Sequence, residues 1–261
     1  MKELERIVKQ LTDIEDTGSV GRSKRVRILQ KLNEKLLSEY YIKINDNFII
    51  EPLLVEAYYY HDGKFEDGNT HRFEKQRSDS EDRFGKLYFH DEKGRGGIDV
   101  CLSTGKYYLS FLIKNSVVEN RITKEKIFRK QTELYSDLNE LRKEDESIEN
   151  KKVLVRRNIL DNQIIFRTVR TGLEETLEKE SDPLKRERKI AFMYEKLAAV
   201  KFKDSEDGKF YGITLEKGYK KEIIVAEYIQ QYRKYSPGID RKKMSKDLIG
   251  YELDKIWEEF D

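Results

Sequence analysis

The sequence lacks most of the features that mark secreted, membrane-spanning or disulfide-stabilised proteins. Its single cysteine, Cys101, cannot form an internal disulfide. Neither a signal-peptide pattern nor a long apolar run occurs, so we expect a soluble, cytoplasmic protein that does not contact a membrane. Strong charge of one sign is also missing, since 52 basic and 50 acidic residues give a formal net charge of +2. An anionic partner would therefore have to bind a local patch.

Aromatic residues are abundant, and they provide the bulk for a folded core. Hydrophobic residues make up 37% of the 261 residues, but these include 16 Tyr and 12 Phe. A chain of this length typically builds one main domain with one core. We therefore predict a single domain over residues 1–261, with an N-terminal helical extension over 1–44 and a charged helical insert over 123–150. No repeat or linker divides it, and we expect a monomer.

The order of hydrophobic patterns predicts an α+β fold. Apolar residues three and four apart predict two N-terminal helices, the second capped by Ser23. From Phe48 to about Asn115 the pattern changes to that of strands, and short strands are also predicted in KKVLVRR, NQIIFRTVRTG and FYGITL. Residues 123–145 have a helical pattern, Pro183 is suited to begin a helix, and two helices are predicted near the C-terminus. The predicted fold is a single mixed or antiparallel sheet with helices packed around it.

One carboxylate, Glu56, lies within an apolar strand pattern, LLVEAYYYHDG. Alternate side chains of a strand share a face. Glu56 is therefore expected to lie on the same face as Tyr58, and Ala57 on the other face. If that face lines a pocket, partial shielding from water makes the carboxylate more basic and suits it to act as a general base. The alternative is an edge strand whose glutamate is solvated.

Other residue patterns point to weaker possibilities. The three histidines lie within residues 61–90 but lack the short spacings of zinc sites, so we predict no metal site. The glycines of EKGRGGIDVCLSTG match no phosphate-binding motif and favour hairpin turns. Glu56, Asp99 and Lys114 could belong to a metal-dependent nuclease, although Leu112 stands where such enzymes usually have an acid. A metal-dependent nuclease is therefore one functional hypothesis, and it ranks below the two that are given next.

Residues 50–115 resemble the alkyladenine (3-methyladenine) DNA glycosylases, whose central region contains an E-A-Y strand, a histidine, a G-x-L-Y strand and a buried basic residue. The corresponding segments occur here in the same order: VEAY at 55–58, His71, GKLY at 85–88, DVCLS at 99–103 and FLIK at 111–114. The resemblance covers about a quarter of the chain. It implies a DNA base-excision glycosylase-like hydrolase that cleaves the N-glycosidic bond of alkylated purines, without metal or organic cofactor.

The resemblance also implies roles for individual residues. Glu56 would activate the attacking water, and Tyr58, His71 and His90 would stack on and hydrogen-bond to the flipped base. Lys114 stands where the family usually has arginine. The remaining implied substrate contact is Ser103, where the family has an asparagine that helps to exclude undamaged guanine.

The sequence departs from the family at the loop around Gly96, where the family has a tyrosine wedge. Arg95 is the only bulky side chain between Lys93 and Ile98, so single-stranded DNA, RNA or a nucleoside remains a possible substrate beside damaged duplex. The predicted phosphate contacts are arginines: Arg95, Arg156, Arg157, Arg167 and Arg170. Those on the two strands could instead pair with glutamates on an exposed sheet face. The second functional hypothesis is a non-catalytic nucleic-acid or nucleotide-binding protein on the same scaffold.

Overall fold

A computed structural model describes residues 1–77, 83–91, 96–157, 164–168, 170, 173–193, 195–204, 210–211 and 248–249. Within these residues the fold is α+β, as predicted. The helices are α1 (Lys2–Thr12), α2 (Gly18–Glu39), α3 (Gln131–Glu144), α4 (Leu173–Glu178) and α5 (Pro183–Met193). Two 3₁₀ helices cover Glu74–Gln76 and Glu146–Asn150.

The strands form one extensive antiparallel arrangement in the described part of the chain. They are β1 (Tyr40–Lys43), β2 (Phe48–His61), β3 (Phe65–Glu66), β4 (Leu87–Phe89), β5 (Ile98–Cys101), β6 (Tyr108–Asn120), β7 (Lys126–Lys130), β8 (Leu154–Arg156), β9 (Ile164–Thr168), β10 (Ala198–Asp204), β11 (Phe210–Tyr211) and β12 (Leu248–Ile249). The main path runs β12-β9-β10-β2-β6-β5-β4. β1 pairs with β2 and β8, whereas β3, β7 and β11 pair with β2, β6 and β10 respectively.

The longest strand, β2, lies at the centre of the sheet and is buried on both faces. Its Ala57 and Tyr59 belong to the main hydrophobic core, together with Leu4 of α1, Leu29 of α2 and Leu134 of α3. The N-terminal helices and α3 therefore supply much of that core. Alternation along β2 then directs Glu56 and Tyr58 to the opposite side of the sheet.

Residues 66–77 cross this opposite side and cover it. The Arg72 guanidinium lies 4.5 Å from the ring centre of Tyr60, and the Arg77 guanidinium lies 4.5 Å from that of Tyr108. We call this side the Glu56 face. Its side chains come from four paired strands: Glu56, Tyr58 and Tyr60 of β2, Tyr108, Ser110 and Leu112 of β6, Asp99 of β5 and Tyr88 of β4.

Three local predictions are wrong, each for a recognisable reason. Residues 40–43, predicted as part of the helical extension over 1–44, form strand β1, because they pair with β2 and β8 and join the sheet. Helix α2 begins at Gly18 with Thr17 as its N-cap residue, so Ser23 lies inside the helix instead of capping it. Residues 126–130 form strand β7 and not the first part of a helix, which begins at Gln131. The chain turns through Lys124, whose φ is 62°, and β7 then pairs with the end of β6. The charge density of this segment is typical of a solvated helix, but its pairing with β6 makes it a strand.

Other local predictions are confirmed within the described residues. Strands cover parts of the KKVLVRR and NQIIFRTVRTG segments, and Pro183 begins α5. Of the FYGITL segment, Phe210 and Tyr211 form β11, and the rest lies outside the described residues. The two helices predicted near the C-terminus also lie outside them.

Candidate active site on the Glu56 face

Glu56 is completely buried in the centre of the sheet. It lies between Ala198 of β10 and Leu112 of β6, which are its partners on the neighbouring strands. The hydroxyl of Tyr58 donates a hydrogen bond of 2.8 Å to one carboxylate oxygen of Glu56. The predicted orientation of Glu56 and Tyr58 is therefore confirmed. Because both are shielded from bulk water, the solvated edge-strand alternative does not hold.

Tyr58 connects Glu56 to a buried ion pair. The guanidinium of Arg170 lies 4.7 Å from the ring centre of Tyr58 and forms a salt bridge with Asp67. The side chains of Arg170 and Asp67 have no solvent exposure. Burial raises the pKa of the Tyr58 phenol well above its usual range, and the Glu56 carboxylate raises it further. Tyr58 therefore stays protonated at neutral pH and can donate to Glu56.

A second buried carboxylate, Asp99, lies on the same face. Glu56, Leu112 and Asp99 are paired across β2, β6 and β5, so two strand spacings, about 10 Å, separate the backbones of the two acids. One oxygen of Asp99 accepts hydrogen bonds from the Ser110 hydroxyl at 2.7 Å and from the side-chain amide of Gln76 at 2.9 Å. These partners fix the carboxylate within the sheet face.

The other oxygen of Asp99 lies 3.0 Å from Nε2 of His90. Burial alone would raise the pKa of Asp99, but the His90 imidazole and the Ser110 hydroxyl outweigh it and hold this pKa below its usual range. The Asp99 carboxylate therefore lies where it can orient the His90 imidazole.

Two of the predicted base-binding residues, His71 and His90, come together. Their ring centres lie 5.8 Å apart at an interplanar angle of 82°. Phe73 and Tyr88 complete this aromatic cluster at the edge of the Glu56 face. Tyr58, the third predicted wall of the base pocket, instead lies against Arg170.

The other two predicted substrate contacts occupy different positions. Ser103 is fully buried beyond the end of β5, where its hydroxyl donates to the Leu109 carbonyl and accepts from the Leu109 amide, both at 2.9 Å. These bonds hold the β5–β6 hairpin. Lys114 is half-buried on β6, where the register against β2 shifts between Leu54 and Val55.

The predicted phosphate-binding arginines mostly contact helix α2. Arg156 pairs with Glu39 at 3.0 Å and with Glu3 of α1 at 2.9 Å, but 54% of its side chain remains exposed. Arg157 donates to Glu51 at 2.8 Å and to the Leu37 carbonyl at 2.9 Å.

The remaining arginines are also held by other side chains where they are described. Arg167 pairs with Glu34 of α2, and Arg170 is the buried partner of Asp67. Only Arg170 of the described four lies beside Glu56. Arg95 lies outside the described residues.

In the described part of the chain, no group of three or more His, Cys, Asp or Glu side chains is arranged to hold a metal ion. Glu56 and Asp99 thus stand on either side of Leu112 without a third such ligand among these residues. No described helix is both long and apolar enough to cross a bilayer.

Several members of the site were not singled out from the sequence. Tyr88 could have been found, because its strand alternates like β2 and pairs with Asp99. Asp67 and Gln76 gave no signal, since they lie in a coil-rich segment whose path over the sheet depends on tertiary contacts. Phe73 is two residues from His71, but spacing alone does not predict that their rings stack.

No protein-family model matches this chain, and no curated protein matches it.

Proposed function

We propose that this protein is a base-excision glycosylase-like hydrolase that cleaves the N-glycosidic bond of alkylated purines in DNA by attack of water. Glu56 is the general base in this proposal. DNA, as damaged duplex or single strand, is the partner, and the reaction needs no metal or organic cofactor. We place its action in the cytoplasm, which suits a single cysteine buried as a free thiol.

One observation carries the proposal: segments far apart in the sequence place an acid, imidazoles and flat rings on one face of the sheet. Glu56 comes from β2, Asp99 from β5 and Tyr88 from β4, and His71 and His90 flank them. Glycosidic hydrolysis needs a base for water, flat surfaces for an extruded purine and donors that favour its departure. This face offers all three kinds of group.

In the proposed reaction Glu56 removes a proton from water as the water oxygen attacks the sugar C1′. The bond from C1′ to the purine nitrogen breaks, and its electron pair leaves with the base. Tyr58 positions Glu56 through its hydrogen bond, whereas His71 and His90 contact the base. Lys114 is proposed to lie near the departing base, as the resemblance implies, and Arg156 has the exposure that a phosphate contact needs.

The test compares Glu56→Gln with wild type on alkylated DNA under single-turnover conditions. The amide oxygen of glutamine can still accept the Tyr58 hydrogen bond, so the fold should persist while the base is lost. General-base catalysis typically contributes about 10²- to 10⁴-fold, and we expect base release to slow by that range. Glu119→Gln, which changes a half-buried glutamate near the end of β6, is the matched control and should keep wild-type activity.

A folded Glu56→Gln protein that releases alkylated purine as fast as wild type would exclude Glu56 as the base. Circular dichroism and thermal unfolding of the variant establish that it is folded. Loss of activity in Glu119→Gln as well would mean that the assay reports on stability and not on chemistry.

One observation favours a second candidate, a non-catalytic nucleic-acid or nucleotide-binding protein on the same scaffold. Glu56 has no exposed surface, so water and substrate reach it only after a local rearrangement. Binding of alkylated DNA with a steep salt dependence, but without release of free base over hours, would support this candidate over the enzyme.

A further inference from the structure

Three aromatic rings stack in parallel at the edge of the Glu56 face. Phe73 lies between His71 and Tyr88, with ring centres 5.5 Å and 5.8 Å away and interplanar angles of 16° and 22°. His90 is almost perpendicular to all three rings, at angles of 79° to 82°. Phe73 therefore has a flat ring on each side and an imidazole across the stack.

We propose that Phe73 holds the place of a ligand, and that His71 and Tyr88 form a stacking site for a flat nitrogen heterocycle. A heterocycle in this position would stack on two faces and meet the His90 imidazole at its edge. The ligand enters when the Phe73 side chain rotates away. Identification of the heterocycle as a purine base rests on the proposed function, whereas the stacking site itself does not.

The contacts around Phe73 allow its side chain to move while the backbone stays in place. Phe73 is half-buried and precedes the 3₁₀ helix Glu74–Gln76. Its carbonyl accepts a hydrogen bond of 2.9 Å from the backbone N–H of Gln76. Arg72 lies over Tyr60, and the Gln76 side chain is bonded to Asp99. The segment is thus held to the sheet on both sides of Phe73.

The remaining members of the site are fixed by the sheet. Tyr88 lies on β4 and is 7% exposed, and His90 follows that strand and is 8% exposed. One oxygen of Asp99 lies 3.0 Å from Nε2 of His90, and Gln76 and Ser110 hold the other oxygen. Other charged groups near His90 are His71 on the covering segment and Asp91, which Arg142 of α3 binds. These contacts set the positions of Tyr88 and of the Asp99 carboxylate on either side of His90.

The experiment measures binding of free 2-aminopurine, a fluorescent purine base, to the full chain by fluorescence quenching. Phe73→Ala should bind about tenfold more tightly than wild type, because the ligand no longer competes with two stacked ring contacts. Phe48→Ala removes a half-buried phenylalanine at the far end of β2 and should bind as wild type does. Adding Tyr88→Leu or His71→Ala to Phe73→Ala should reverse the gain.

The proposal is overturned if folded Phe73→Ala binds 2-aminopurine no more tightly than Phe48→Ala, since Phe73 would then be a packing residue only. His71→Ala is the second test variant because His71 is half-exposed and its loss leaves the core intact. The free base has no glycosidic bond, so this measurement is independent of turnover. Tight binding of 2-aminopurine without base release from DNA would retain the stacking site and reject the proposed function. Base release from DNA without tighter binding by Phe73→Ala would retain the proposed function and reject the stacking site.

Discussion

The buried ion pair between Asp67 and Arg170 gives a quantitative test of how the site is held. Asp67→Asn removes one negative charge while keeping the shape of the side chain. The guanidinium would then keep the carbonyls of Ala57 at 3.3 Å and Phe192 at 3.1 Å as neutral hydrogen-bond partners, and the Glu56 carboxylate would be the negative charge that still acts on it. Both members of the pair are fully buried, so water cannot replace the lost carboxylate.

The expected destabilisation follows from the burial of the remaining cation. Breaking a buried pair by removing one partner typically costs about 3–5 kcal/mol. Asparagine at position 67 can still accept the hydrogen bonds that the Asn69 backbone and side-chain amides give to Asp67 at 3.0 and 3.1 Å. We therefore expect the lower end of that range, about 3 kcal/mol.

Urea unfolding followed by circular dichroism measures this change. At a slope of about 3 kcal/mol per molar urea, the midpoint should fall by about 1 M. Glu140→Gln is the matched control, because it breaks an exposed pair with Lys143 whose side chains are 67% and 62% exposed. Its unfolding free energy should stay within about 0.5 kcal/mol of wild type.

An unfolding free energy for Asp67→Asn within about 1 kcal/mol of wild type would refute this reasoning. A second comparison separates charge from packing. Replacing both partners together, Asp67→Leu with Arg170→Met, leaves no unpaired charge, so the double variant should be more stable than Arg170→Met alone. The reverse order would mean that shape, and not charge, dominates at this position.

Two further predictions concern acid stability and a close backbone contact. The His90 imidazole and the Ser110 hydroxyl together outweigh burial and lower the pKa of Asp99. The ionised Asp99 carboxylate therefore stabilises the fold above the unfolded pKa of about 3.9, and this stabilisation is lost as pH falls through the lower folded value. Wild-type unfolding free energy should therefore fall more steeply between about pH 5 and 2 than that of Asp99→Asn, and parallel profiles would contradict this. A Cβ added at Gly21 would lie 1.9 Å from the Asp16 carbonyl oxygen, so Gly21→Ala should cost about 1–3 kcal/mol in thermal unfolding. An unchanged melting temperature would rule that contact out.

Strand alternation made part of the Glu56 face predictable. A strict period of two around Glu56 and Tyr58 determined which side chains share a side, and the structure keeps that arrangement. Sequence periodicity could not indicate that segment 66–77 covers this side, because a coil segment has no period. The covering depends on contacts such as Gln76 to Asp99, 23 residues apart.

The arginines illustrate why the rest of the site was not predictable. Arg167 and Arg170 lie three residues apart, yet one pairs with Glu34 of α2 and the other with buried Asp67. A basic residue on a strand can bind phosphate or complete an internal ion pair, and the neighbouring residues in the sequence do not distinguish these two roles. Position relative to α2 and Asp67 decides between them. That position is a tertiary property.

The most direct test of the central proposal is the release of free alkylated purine from methylated DNA by the full chain, measured by chromatography in the presence of a chelator. Wild-type protein should release a stoichiometric amount of free base under single-turnover conditions, and Glu56→Gln should release it about 10²- to 10⁴-fold more slowly. Absence of free base from wild-type protein that binds the same DNA, or strand cleavage that appears only when magnesium is added, would contradict it.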